Sequence, residues 1–197
     1  MRIIGLCGRS GSGKTSFCRI AIEQGLKVID CDKVYYGLVS NPSDCLEEIR
    51  QSFGDGVIKD NALDRKTLAG IVFSNREKLE LLNSTTHKYI RNEIANIISA
   101  CNESDIIILD APALFESNVD LMCDSVVCII APDEFCVARI IARDGITEQQ
   151  ARSRLQNQLP NDFLIENSDY IVYNEGAESD FINASYELIT ALKEGIL

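Results

Sequence analysis

Gly8, Gly11, Gly13, Lys14 and Thr15 stand in the run "GRSGSGKTS", which satisfies the spacing Gly-x4-Gly-Lys-Thr. That pattern is the chemistry of phosphate gripping. Backbone N–H groups can wrap a phosphate only where no side chain blocks the approach, hence the glycines. A following helix adds partial positive charge at its N-terminus. Lys14 reaches the β- and γ-phosphates of a nucleotide, and the Thr15 hydroxyl can ligate Mg²⁺. Ser12 and Ser16 complete the expected nucleotide-binding set. A second oxygen ligand for Mg²⁺, acting through water, is Asp110 at the end of "DIIILD", unless that residue only caps a loop. Asp30 and Asp32 in "VIDCDKV" follow a strand pattern, and their i, i+2 spacing puts both on one strand face if the strand continues that far. A carboxylate there can accept the proton of an attacking hydroxyl. Asp32, farther toward the loop, is the candidate base; helix capping is its other use.

These residues need a sheet to hold them. "RIIGLC" is a β-branched run that ends at the glycine-rich loop, and "TSFCRIAIEQ" continues it as a helix stopped by Gly25. "LKVID", "DIIILDAP", "SVVCIIAP" and "DYIVYNEG" read as further strands. Continuous apolar runs of this kind are expected where a strand is buried on both faces. The alternation predicts a five-stranded parallel sheet with helices on both faces, an α/β fold of the P-loop type. Between the second and third strands no strand is evident. Helical spacing in "PSDCLEEIRQSFG", "DRKTLAGIVFSN" and "THKYIRNEIANIISA" predicts a helical insertion. "DEFCVARIIARDG" and "TEQQARSRLQNQ" predict a helical hairpin, the second helix opened by a capping box of Thr147 and Gln150. The expected division is a core of residues 1–32, 104–135 and 168–197, a helical insertion of 33–103, and a lid of 136–167.

A P-loop alone serves kinases, GTPases and motors. The N-K-x-D and D-x-x-G signatures of a guanine-specific GTPase are absent. The net charge of −11, from 30 acidic and 19 basic residues, argues against nucleic acid or an anionic membrane as partner. No window is apolar enough to span a bilayer, and the N-terminus turns polar too early for a secretory signal, so a cytoplasmic protein is expected. The eight cysteines lack a C-x-x-C pair and sit mostly in apolar runs, as reduced small hydrophobes. A monomer is expected rather than an oligomer.

From end to end the sequence resembles the dephospho-CoA kinase family. The resemblance rests on "GLCGRSGSGKTS", "GLKVIDCDKV", "FGDGVI", "LDRKTLAGIVFSN", "LDAPALFES", "RIIARDGITEQQARSRLQNQ" and "SDYIVYNEG", in that order. It implies ATP-dependent phosphorylation of the ribose 3′-hydroxyl of dephospho-CoA, with ATP and Mg²⁺ as the cofactors. It places Asp32 at the base position, Arg65 as a substrate-contacting arginine, Arg139 and Arg143 as lid arginines on the ATP phosphates, and Asn174 near the adenine. The sequence departs from the family pattern where Tyr36 replaces an arginine, where Lys88 rather than proline follows His87, and where no basic residue follows Gln158. Tyr36 is retained as a substrate-binding candidate. Two other readings stay open: a kinase for another small acceptor such as a nucleoside, nucleotide or shikimate-like alcohol, and a nucleotide-binding regulator without turnover.

Overall fold

The computed structural model describes residues 1–72 and 75–196. The chain divides into two compact units, Met1–Ile29 with Asn102–Leu197, and Asp30–Cys101.

In the first unit five parallel strands form one sheet: β1 (Arg2–Cys7), β2 (Lys27–Asp30), β5 (Ile106–Asp110), β6 (Ser125–Ile130) and β7 (Tyr170–Tyr173). Their order is β2-β5-β1-β6-β7. β1 lies centrally, with Leu6 opposite Asp110 of β5 and Cys7 opposite Cys128 of β6. All six residues of β6 are buried, which is why "SVVCII" carries no polar alternation. Successive side chains point to opposite faces of the sheet. On one face Ile4, Leu6, Val127 and Ile129 pack with Phe17, Ile20, Phe181 and Ile189 of the helices α1 (Lys14–Glu23) and α9 (Glu178–Glu194). On the other, a Cβ added to Gly5 would lie 3.0 Å from both Leu114 and Cys123.

After β6 come α6 (Asp133–Asp144), α7 (Glu148–Gln156) and α8 (Asn161–Glu166). The first two enclose a small core of Cys136, Val137, Ile140, Ala151 and Leu155. The expected capping box is formed: the Gln150 N–H donates to Thr147 Oγ1 at 3.3 Å, and the Thr147 N–H donates to Gln150 Oε1 at 2.9 Å. The short helix α8 follows Pro160 inside a stretch that the sequence pattern left without an element.

The second unit is mainly helical, and three of its features differ from expectation. First, the strand ending in "VID" does not run on to Asp32. Helix α2 (Cys31–Val39) begins at once, capped by Asp30, which accepts from the Lys33 N–H at 3.0 Å. Asp30 and Asp32 therefore do not share a strand face; Asp32 lies in the first turn of α2, where a carboxylate also suits the helix dipole. Second, a two-stranded hairpin, β3 (Ile58–Lys59) with β4 (Ala62–Leu63), stands where no strand was expected. Its turn uses Asp60 and Asn61 with φ of 52° and 61°, the left-handed pair that suits a tight hairpin. Third, the last helix of the insertion, α5 (Arg76–Ser99), starts ten residues earlier than "THKYIRNEIANIISA" suggests, capped by Asn75 accepting from the Lys78 N–H. The helices α3 (Asp44–Phe53) and α4 (Arg65–Val72) fall inside the expected segments. Phe73 and Ser74, at the end of the "LDRKTLAGIVFSN" motif, lie outside the described residues. Val39, Cys45, Ile49, Val57, Leu63, Leu68 and Val72 form this unit's core.

Candidate active site

The loop between β1 and α1 is built inward from its carbonyls. Lys14 Nζ donates to the Gly8 carbonyl at 2.7 Å, so its ammonium is held across the loop. Burial, foremost, pushes the Lys14 pKa below the usual lysine value, and the Asp110 carboxylate opposes that push. Helix α1 has no side-chain cap and no acidic residue in its first turn. By contrast α2, α3, α5 and α7 are capped by Asp30, Ser43, Asn75 and Thr147, and the uncapped α6, α8 and α9 carry acidic residues in their first turns. The amides opening α1 are thus left for an external acceptor, which is the arrangement of an anion site. Ser12 Oγ is buried with no hydrogen-bond partner among the described residues, and a Cβ on Gly8 would come within 2.8 Å of it. An orphaned hydroxyl inside a cradle of glycines fits a phosphate oxygen. Thr15, exposed on α1, and Asp110, ending β5, carry hard oxygen donors of the kind that would suit Mg²⁺.

Arg139 of α6 turns onto this loop. Its guanidinium donates to the carbonyls of Gly11 at 3.0 Å and Ser12 at 3.4 Å, and to Asn174 Oδ1 at 3.1 Å. Asn174 in turn donates to the Ser12 carbonyl at 2.7 Å. Arg143, one turn on, is not brought to the loop. It is engaged with Asp144, which also accepts from Arg154.

Three residues not singled out from sequence also hold the loop. Arg9 pairs with Asp133 at 2.6 Å and donates to the Leu155 carbonyl at 2.8 Å. Gln158 accepts from the Ser10 N–H at 2.9 Å and donates to Ser10 Oγ at 3.2 Å. The loop is therefore latched to α6, to the last turn of α7 and to the turn that follows it. Only long-range contact reveals this, because the motif leaves its four x positions unspecified. Glu116 borders a small cavity with Cys7, Gly8, Arg9 and Gln158, and burial raises its pKa.

Gly13 has φ of +121°, and a Cβ placed there would lie 2.5 Å from Asn174 Nδ2. Replacing it is expected to strain the backbone and displace the amide together. Gly13→Ala should therefore lower stability by about 1–3 kcal/mol, as a reduced urea midpoint with unchanged m-value.

In the second unit the candidate residues sit on α2 and α4. Asp32 and Tyr36, four apart, share a face of α2 and are both exposed. Arg65, the first residue of α4, donates to Tyr36 Oη at 2.9 Å, and its guanidinium carbon lies 4.1 Å from the ring centroid. The neighbouring Tyr35 is pushed up to about 12, chiefly by burial. An arginine at a helix N-terminus opposes the helix dipole, and in this acidic chain it is held by a tyrosine. His87 on α5 is half-buried, and burial followed by Arg91 lowers its pKa.

A central strand feeding a glycine-rich loop into an uncapped helix, with a lysine folded across that loop, defines a P-loop nucleotide-binding protein. A family model described as dephospho-CoA kinase matches residues 2–180. The dephospho-CoA kinases of Fusobacterium nucleatum and Carboxydothermus hydrogenoformans are 36% and 34% identical, over 90% and 89% of this chain and 92% and 86% of theirs. The solved dephospho-CoA kinase of Campylobacter jejuni superposes with a TM-score of 0.76 at 27% identity, covering all of both chains. The chain belongs to the dephospho-CoA kinase family. Among the described residues no helix is long and apolar enough to cross a membrane.

Proposed function

We propose that this protein transfers the γ-phosphoryl group of ATP to the ribose 3′-hydroxyl of dephospho-CoA, forming coenzyme A and ADP. The observation that carries the reading is the family match over 2–180, which spans both the anion cradle and the helical unit bearing Asp32, Tyr36 and Arg65. Gly8, Gly11, Ser12, Gly13, Lys14, Thr15 and Ser16 bind the ATP phosphates. Thr15 and Asp110 would hold Mg²⁺, which when bound neutralises charge on the β- and γ-phosphates. Arg139, already on the loop, adds positive charge where the phosphoryl group moves. Arg143 serves the same group only by exchanging Asp144 for phosphate. Asp32 takes the proton as the 3′-oxygen bonds to phosphorus and the bond from phosphorus to the β–γ bridging oxygen breaks. Arg65 binds an acceptor phosphate, with Tyr36 beneath it. Residues 33–103 act as the acceptor-binding part and 136–167 as the lid. The protein works as a cytoplasmic monomer on small molecules, and its charge of −11 argues against nucleic acid or an anionic membrane as a partner.

An acceptor panel tests this reading. With ATP and Mg²⁺, dephospho-CoA should be phosphorylated far faster than adenosine, nucleoside monophosphates or shikimate, with the product identified by mass. Turnover confined to another acceptor would keep the phosphate cradle and overturn the CoA assignment. ATP binding without transfer to any acceptor would favour a regulator.

The acceptor side gives a graded prediction. Arg65→Ala should raise the KM for dephospho-CoA by about 10-fold or more, as expected for losing a charge-assisted contact. Tyr36→Phe keeps the ring under the guanidinium and loses only one hydrogen bond, so its KM should rise by less than about 5-fold. In both variants the KM for ATP should stay at the wild-type value, which steady-state kinetics with each substrate varied would check.

A further inference from the structure

We propose that Asn174 is a positioning residue for the phosphate cradle, one that aims a loop amide and holds Arg139 in place without itself binding the nucleotide base. This rests on the reading of the Gly8–Thr15 loop as the ATP-phosphate site.

Asn174 directly follows β7, and its own N–H is fixed to the Ile130 carbonyl at 2.7 Å. The residue is only 7% exposed, so both ends of the amide must find partners within the protein. They do: Nδ2 donates to the Ser12 carbonyl at 2.7 Å, and Oδ1 accepts from Arg139 at 3.1 Å. Only this orientation works. Flipping the amide would set an oxygen against a carbonyl and an NH₂ against a guanidinium.

The consequence follows from peptide geometry. In a planar trans peptide the C=O and the next N–H point in opposite directions. Pinning the Ser12 carbonyl on one side therefore aims the Gly13 N–H to the other. Arg139 pins the preceding carbonyl, that of Gly11, while its second nitrogen is held by Asn174. Asn174 thus sets both a neutral donor and a cation from one anchored point. The close approach also explains the glycine at 13, where a Cβ would collide with Nδ2 at 2.5 Å.

The test separates a phosphate role from a base role by using inorganic tripolyphosphate, which has no base. Calorimetric titration of wild type, Asn174→Ala, Arg139→Ala and the double variant would measure binding of ATP and of tripolyphosphate. Asn174→Ala should weaken both ligands by the same factor, about 10-fold for two lost hydrogen bonds. In the Arg139→Ala background the effect of Asn174→Ala should shrink, because part of it acts through that arginine. Asn174→Asp is the second variant, should the alanine protein fail to fold. It keeps the size and the pairing with Arg139 but sets a carboxylate against the Ser12 carbonyl, so tripolyphosphate affinity should fall even though Arg139 stays paired. Wild-type protein that binds both ligands, with either folded variant holding tripolyphosphate as tightly as wild type, would overturn the inference alone. Wild-type protein that binds neither ligand would overturn the ATP reading and the inference with it.

Discussion

Lys14→Ala is expected to lower kcat by at least about 100-fold, the low end for losing one preorganised charge at a transition state. The ammonium is held by backbone carbonyls. It is folded across the loop onto the Gly8 carbonyl, beside an uncapped helix N-terminus and close enough to Asp110 for the two charges to interact. In phosphoryl transfer nearly all catalysis comes from positioning and charge neutralisation, so little else in the chain can replace it. Stability should move the other way. Burial lowers the folded-state pKa of Lys14 below its unfolded value. A lysine shifted in that direction carries a penalty that is full below its folded pKa. The penalty is relieved as pH rises through the interval up to the unfolded pKa. At neutral pH the alanine variant should therefore unfold at a midpoint no lower than wild type, while turnover collapses. A thermal scan run beside the kinetic assay checks both halves, and a variant that loses stability and activity together would contradict this account of Lys14.

Asp32→Asn is the second large effect, again a fall in kcat of at least about 100-fold, the lower range for removing a general base. Asparagine keeps the shape and cannot take a proton. Because Asp30, not Asp32, caps helix α2, the substitution leaves the cap intact and should not unfold the helix. The loss should fall on kcat, with the KM for ATP unchanged. An Asp32→Asn enzyme with near-normal kcat would remove Asp32 from the role of base.

The sheet was legible in the sequence because each strand is an unbroken apolar run. "SVVCII" and "DIIILD" have no other reading in a chain of this length, and the loop motif fixes where β1 must end. Helix α2 was harder. Its apolar positions, Cys31, Val34, Tyr35, Leu38 and Val39, have helical spacing, but they follow a strand without a break and include Gly37. The hairpin of β3 and β4 offers two residues a side, too few for any period to show. The first half of α5 is mostly polar and shows little periodicity, but Leu79 and Leu82 within it pack against the core of the helical unit and carry the helix through.

In the candidate site, residue types were legible where a motif names them, as with Lys14, Thr15 and the glycines. Partnerships were not. That Arg139 lies on the loop carbonyls while Arg143 is held by Asp144 depends on where α6 is pinned, and Arg9 and Asp133 do that pinning from positions 124 residues apart. The pairing of Tyr36 with Arg65 likewise joins two helices across 29 residues, so the sequence shows only that an expected arginine is absent.

The most direct measurement of the central claim is the product formed from ATP, Mg²⁺ and dephospho-CoA by the wild-type protein, with the site of phosphorylation assigned by phosphorus NMR. The account predicts ADP and coenzyme A in equal amounts, with a new monoester on the ribose 3′-oxygen. ADP release without that monoester, or a phosphate on any other oxygen, would contradict it.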